Sequence, residues 1–256
     1  MGRAVTAAVL PCVARARRAE DHVARIARLS AMPPGELELA LGSSPVEAAP
    51  WVEAAAAHGV VAAQVTLGRM LLEGHGLAMD KAAALGWFRR AGQAGDAEAM
   101  NMVGRCLELG WGCVADAAAA APWYHRSAAA GHGWGEYNYA NLLFDGRGGA
   151  RDQPAAVALY RRAADRGHAR AMNLLGRCLE EGWGTPIDPV AAADWYRRSA
   201  EAGYFRGQFN HAVGLLRRGR LAPARDWLCR AAGDADVGMA ARMQAILAQL
   251  DSCEAG

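Results

Sequence analysis

The sequence lacks the features that identify most membrane and nucleic-acid-binding proteins. It has no uninterrupted run of about 18 apolar residues, the length that a helix needs to span a bilayer. Its formal net charge is +2, so no overall field favours nucleic acid or an anionic lipid surface. We therefore predict no membrane span and no nucleic-acid partner.

Catalytic and metal-binding motifs are also missing. The chain contains no Cys-x-x-Cys, no His-Glu-x-x-His, no Gly-x-Ser-x-Gly and no glycine-rich phosphate loop followed by Lys and Ser or Thr. His132 and His168 are 36 residues apart, and a repeated sequence position explains their recurrence without a shared metal. The prediction is a protein that is not an enzyme, with no catalytic residues, no metal and no cofactor.

The cysteines form no regular framework. Cys106 and Cys178 are two repeats of 36 apart, but Thr185 occupies the position where Cys113 would recur. We predict that Cys106 and Cys178 are small buried residues, because free cysteine behaves as a small hydrophobe. A disulfide between Cys106 and Cys113 stays open at this point.

What the sequence does contain is a pattern that repeats every 36 residues. Each copy has a Gly-x-Gly, an aspartate and a large apolar residue that is usually tryptophan. The three sets, each with four members, are Gly74, Gly110, Gly146 and Gly182; Asp80, Asp116, Asp152 and Asp188; and Trp87, Trp123, Leu159 and Trp195. A period of this length indicates a solenoid, in which each unit buries its apolar face against the next.

One period contains two predicted helices, as the copy from 97 to 132 illustrates. Apolar residues over 99–107 recur at helical spacing and predict a first helix, helix A, that ends at Gly110. Asp116 lies where an acidic N-cap can accept hydrogen bonds from the next helix. That helix, helix B, contains Trp123 and ends at Gly131. Turns this short predict an antiparallel helix pair.

These units resemble Sel1-like repeats, relatives of the tetratricopeptide repeat. The resemblance rests on the Gly-x-Gly turn, the aspartate, the glycine of helix A and the run Trp87-Phe88-Arg89-Arg90-Ala91. The helix A glycines are Gly68, Gly104 and Gly176, with Ala140 in the third copy. The resemblance implies an all-α fold, a right-handed α-solenoid of antiparallel helix pairs. It also implies a non-enzymatic adaptor that holds other proteins, with the paired arginines on a solvated face.

The repeat pattern also predicts the domain organisation. Residues 1–45 form an N-terminal segment that is partly helical, and a solenoid follows over 46–256. Its parts are a half repeat at 46–60, repeats at 61–96, 97–132, 133–168 and 169–204, an atypical repeat at 205–235 and a capping helix at 236–252. The atypical fifth repeat has lost the Gly-x-Gly, so its interhelix loop is predicted to be short.

By analogy with tetratricopeptide arrays, helix A is expected to line a concave binding surface. The polar and aromatic positions beside its apolar stripe give the candidate partner-binding residues Asn101, Arg105, Trp134, Tyr137, Asn141, Phe144, Arg170, Asn173, Arg177 and Arg206. The arginines could pair with carboxylates, and the asparagines with a peptide backbone. We expect a protein or peptide partner with an acidic or C-terminal segment. Alternatively, Trp134, Tyr137 and Phe144 fill gaps left by Ala140 and Leu159 in the same repeat.

Two functional hypotheses follow. The first is an adaptor in the cytoplasm of a bacterium, a source suggested by the Ala-, Gly- and Arg-rich composition that GC-rich codons give. The second is an exported, periplasmic protein that assembles the cell envelope, or a β-lactamase-like hydrolase of the cysteine-rich Sel1-like type. The irregular cysteines depart from that type, and a mature N terminus near Arg17 would favour export.

Overall fold

The computed structural model describes residues 44–254, together with Ala24, which is helical. The remainder of the predicted N-terminal segment lies outside the described residues. Over 44–254 the chain forms twelve α-helices and no strand, which confirms the all-α class. The helices are α1 Pro45–Ala57, α2 Val61–Glu73, α3 Lys81–Gln93, α4 Ala97–Leu109, α5 Ala117–Ala129, α6 Gly133–Asp145, α7 Gln153–Asp165, α8 Ala169–Glu181, α9 Pro189–Glu201, α10 Phe205–Leu216, α11 Leu221–Asp234 and α12 Val237–Glu254.

The helices divide into two compact units. The first unit contains α1 to α4 and ends at Asp116, and the second unit begins at Ala117 and contains α5 to α12. Within each unit every helix packs on the next along the chain, as expected for a solenoid of helix pairs. The even-numbered helices α2 to α10 are the helix A of their repeats, and the odd-numbered helices are helix B.

The periodic glycines and aspartates determine where the helices end and begin. The first glycine of each Gly-x-Gly caps a helix A with left-handed backbone, at φ between 70° and 75°. The carboxylates of three aspartates accept hydrogen bonds from the backbone of the following helix B: Asp80, Asp152 and Asp188. Both kinds of cap were predicted from the sequence and are confirmed at these positions.

The second glycine of the motif is required by a close approach between backbones. Gly112 has φ of 77°, and a Cβ atom built there would overlap the carbonyl group of Lys81. A side chain at Gly112 would therefore be strained by its own backbone and would also collide with the start of α3. Gly76 meets the carbonyl of Pro45 in the same way.

Helix B supplies buried aromatic side chains beneath the small residues of helix A. Tyr124, Tyr160 and Tyr196 are 36 residues apart and are all buried in the second unit. A Cβ atom at Gly176 would lie 2.8 Å from the ring of Tyr196. The glycine or alanine of helix A thus allows the helix to lie directly on this ring.

Arginines of helix B lie over tryptophan rings. In four of these helices the arginine lies over the tryptophan three residues before it, at guanidinium-to-centroid distances of 4.1 to 5.0 Å. These pairs are Trp87 with Arg90, Trp123 with Arg126, Trp195 with Arg198 and Trp227 with Arg230. The ring and the cation cover one another on the outer side of the helix. The paired arginines Arg89, Arg90 and Arg197 are nevertheless exposed, as predicted for a solvated face.

Candidate partner-binding surface

An aromatic cluster connects the third and fourth repeats in the second unit. Its members are Trp134 and Tyr137 of α6 and His168, the N-cap of α8. The Trp134 and His168 rings meet at a centroid distance of 4.4 Å and are nearly perpendicular, whereas Tyr137 stacks on His168 at 4.9 Å. Trp134 remains 43% exposed, so the cluster has one outward-facing ring.

The imidazole of His168 is held in its neutral form. Its Nδ1 accepts a hydrogen bond from the backbone N–H of Ala171 at 3.2 Å, so the ring proton is on Nε2. Burial, with smaller contributions from Arg170 and His132, lowers the pKa of His168 to about 4. The sequence indicated His168 only as a repeated position. Its place in the cluster depends on the pair of rings Trp134 and Tyr137, since no other repeat has aromatic residues at both of these positions.

Arg170 lies between two aromatic rings at the edge of this cluster. Its guanidinium carbon is 5.3 Å from the centroid of Trp134 and 5.7 Å from that of Tyr204. The side chain is exposed, and it makes no hydrogen bond or ion pair with any described residue. Aromatic contact orients the guanidinium while its in-plane N–H groups stay available to an acceptor.

The other predicted arginines are also oriented by rings. Arg177 of α8 lies 5.1 Å from the Trp183 centroid in the second unit. Arg105 of α4 has the equivalent contact with Trp111 in the first unit, at 4.9 Å. Arg206 lies over Phe205 at 5.5 Å. All four arginine positions therefore carry a cation beside an aromatic face, a contact that their charge and spacing in the sequence did not predict.

The asparagines of the predicted row have a different role. Asn101 and Asn173 are only 5% and 4% exposed, and the Oδ1 atom of Asn173 accepts a 2.8 Å hydrogen bond from Asn210. The half-buried Asn141 accepts a 2.7 Å hydrogen bond from the hydroxyl of Tyr160. We therefore correct the prediction at Asn101 and Asn173: these amides belong to the packing between helices and are covered from a ligand.

The three aromatic residues predicted at this surface do not all have the same role. Partner binding and the filling of gaps in the third repeat were the two explanations for them. Tyr137 and Phe144 are half-buried and pack against the hydrophobic core of the second unit, next to Leu159. Phe144 lies 5.6 Å from Trp183 and 6.4 Å from Tyr160, measured between ring centroids. Tyr137 and Phe144 thus fill space in the third repeat, as the packing explanation expects, whereas Trp134 faces outward.

Cys106, Cys113, Cys178 and Cys229 are all free thiols. Cys106 and Cys178 are buried, as predicted, and burial raises the pKa of each to about 11. Cys113 donates a hydrogen bond to the carbonyl of Cys106 at 3.4 Å, so these two residues are not joined by a disulfide.

The described part of the chain has neither a metal site nor a membrane-spanning helix. Among residues 44–250, no group of three or more His, Cys, Asp or Glu side chains is placed to hold a metal ion. No helix within this range is both long and apolar enough to cross a bilayer.

The fold and this surface define a class of protein. It is a helical repeat protein in which arginines on the helix A side lie beside aromatic rings. The family model of the Sel1 repeat matches residues 61–96, 97–132, 135–168 and 169–204. The chain therefore belongs to the Sel1 repeat family, whose members are generally non-catalytic scaffolds for protein–protein interaction. No curated protein matches the sequence.

Solved structures of Sel1 repeat proteins are similar to this chain. One is c5321, a protective antigen of uropathogenic Escherichia coli, with a TM-score of 0.68 and 29% identity over 81% of this chain. The match spans 45% of the length of that antigen. Another is a Sel1 repeat protein from Oxalobacter formigenes, with a TM-score of 0.67, 28% identity and coverage of 73% of this chain and 77% of that one.

Proposed function

We propose that this protein is a non-enzymatic adaptor that binds a protein partner through the helix A side of its second unit. The partner contributes an acidic or C-terminal segment. Arg170 is the observation that carries this proposal, because it is an exposed cation between two rings and has no acceptor among the described residues. Membership of a family of interaction scaffolds supports the general role.

The chemistry of Arg170 favours a carboxylate ligand. A guanidinium offers parallel N–H donors that match the two oxygens of a carboxylate. Bidentate pairs of this kind are among the strongest hydrogen-bonded contacts in proteins. Contact with Trp134 and Tyr204 restricts the side chain before a ligand arrives, so less conformational entropy is lost on binding. Outward-facing Trp134 then provides apolar area beside the charge, a combination typical of interaction hot spots.

Affinity capture with two matched variants tests the proposal. The bait proteins are the wild type, Arg170→Ala and Arg161→Ala, where Arg161 is an exposed arginine of α7 away from the cluster. We expect the wild type and Arg161→Ala to capture the same partner and Arg170→Ala to lose it at unchanged melting temperature. Binding of a synthetic segment of that partner should then weaken when its carboxylates are amidated. Equal capture by all three baits would contradict the proposal.

A further inference from the structure

Two neighbouring grooves in the second unit occupy the same place in successive repeats. The apolar groove, between α6 and α8, has a volume of about 210 Å³ and is lined by Phe144, Tyr160, Leu174, Cys178 and Trp183, together with the polar residues Asn141, Asp145 and Arg177. The basic groove, formed by α9 and α10 with Glu180 of α8 at its edge, has a volume of about 410 Å³ and is also lined by Asn210, Arg217, Arg218 and Arg242. Five pairs of lining residues are related by the 36-residue step: Phe144 and Glu180, Tyr160 and Tyr196, Leu174 and Asn210, Arg177 and Val213, and Cys178 and Gly214.

The chemistry of the groove changes between these two repeats. Leu174 in the apolar groove is replaced by Asn210 in the basic groove, and the position of Trp183 is taken by Gly219. The loop between α10 and α11 contains only residues 217–220. Arg217 and Arg218 therefore come directly after α10, and both line the basic groove. The atypical fifth repeat therefore has cations where the fourth repeat has an indole.

Arg242 adds a third cation from the last helix. Its guanidinium carbon lies 5.3 Å from the centroid of Phe209, which orients the side chain against the groove. The carboxylate of Glu180 is occupied by Arg217 at 2.8 Å and by the hydroxyl of Tyr196 at 2.7 Å. Arg218 and Arg242 form no hydrogen bond or ion pair with the described residues, so the groove keeps a positive charge that its own walls do not neutralise.

The two grooves are close enough for one extended segment to reach both. They share α8, which contributes Arg177 to the apolar groove and Glu180 to the basic groove, and neighbouring packed helices are separated by about 8–10 Å. An extended peptide advances about 3.3 Å per residue, so roughly three residues cover this distance. The hydrogen bond from Asn210 to Asn173 joins α8 to α10 and fixes the second groove relative to the first.

We propose that the partner segment binds in extended form across α8, with an apolar side chain in the apolar groove and an acidic side chain in the basic groove. About three residues separate these two anchors. The smaller groove accommodates a single leucine- or phenylalanine-sized side chain, and the larger groove complements a carboxylate with the Arg218 and Arg242 donors. This inference rests on the proposed adaptor function and specifies which partner segments it accepts.

Selection from a library of random dodecapeptides, amidated at the C terminus after resynthesis, tests this two-point recognition. The immobilised proteins are the wild type, the double variant Arg218→Ala with Arg242→Ala, Leu174→Asn and the control Arg161→Ala. Leu174→Asn gives the apolar groove the residue of the equivalent position in the next repeat, Asn210. Circular dichroism and melting of each variant verify that it is folded before selection.

We expect the wild type and Arg161→Ala to enrich peptides with an apolar residue and Asp or Glu about three positions apart. The double arginine variant should keep the apolar preference and lose the acidic one, and Leu174→Asn should do the reverse. Resynthesised peptides should bind the double variant about tenfold more weakly, as expected for lost hydrogen bonds to a charged group. Enriched peptides without this spacing, or without an acidic residue, would overturn only this inference. A wild type that enriches nothing would count against the adaptor function as well.

Discussion

The Nη2 atom of Arg162 lies 2.8 Å from the Oε1 atom of Glu136, a side chain that is fully buried. In the neighbouring repeats the equivalent arginine lies over a tryptophan, but the third repeat has Leu159 at that position. Glu136 likewise replaces Met100 and Met172 of the repeats on either side. The two substitutions occur together, so the carboxylate gives Arg162 the partner that the missing indole would have provided.

Removing the two arginines that pair with Glu136 should lower the unfolding free energy more than removing Glu136 itself. Arg162 and Arg166 both contact Glu136, and each is about half exposed. Replacing both arginines with alanine leaves a buried carboxylate without a cation, and we expect a loss of about 3 kcal/mol in unfolding free energy. Glu136→Met leaves two arginines that can return to water, so its cost should be about 1 kcal/mol or less. Urea unfolding followed by circular dichroism measures both. A larger loss for Glu136→Met than for the arginine pair would contradict this assignment.

The second glycine of the Gly-x-Gly motif should be far less replaceable than another glycine of similar backbone conformation. Gly112→Ala combines an unfavourable positive φ with overlap of the Lys81 carbonyl, whereas Gly95 has positive φ and open space around it. We expect Gly95→Ala to cost about 1 kcal/mol and Gly112→Ala at least about 3 kcal/mol. Melting of the two variants compares them directly. Equal losses would mean that α3 moves away at little cost.

The helices and their caps could be predicted because they depend on local requirements that the sequence repeats. Left-handed backbone at Gly110 and side-chain capping by Asp152 are properties of a few adjacent residues. The burial of Asn101 and Asn173 could not be read from helical spacing, since it depends on which flank the next helix covers. The basic groove was also missed, because Arg242 comes from a different helix. The consecutive arginines after α10 and the missing tryptophan at position 219 were the available signals.

Substitutions of the two aromatic residues at the start of the third repeat should have different effects, one mainly on partner binding and the other mainly on stability. Trp134 is exposed over one face, so Trp134→Ala should weaken partner capture and lower the unfolding free energy by no more than about 1 kcal/mol. Tyr137 is half-buried between His168 and Tyr160, and Tyr137→Ala should cost about 2 kcal/mol because it leaves a partial cavity. Capture assays and melting on the same preparations distinguish the two effects. A strongly destabilised Trp134→Ala would indicate that the indole belongs to the core.

The stability of the second unit should depend on pH through His168. Because the pKa of His168 in the folded protein is about 4, below the ordinary value of 6.5, the unfolded chain takes up a proton more readily. The stabilising contribution is therefore complete above pH 6.5 and is lost as the pH falls towards 4. The main physical cause is burial, which disfavours the charged imidazolium, and the neighbouring Arg170 adds a smaller repulsion.

His168→Asn isolates this contribution, because asparagine retains an N-cap acceptor and does not titrate. We expect the stability difference between wild type and His168→Asn to change by about 1 kcal/mol between pH 7.5 and pH 4.5, a value discounted for partial solvent screening. Melting curves of the wild type, His168→Asn and the exposed-site control His58→Asn, recorded across this range, measure the change. The wild type and the control should lose melting temperature in parallel, and His168→Asn should lose less. Parallel behaviour of all three would show that the imidazole of His168 titrates alike in the folded and unfolded chains. That result would contradict a buried, neutral ring at this position.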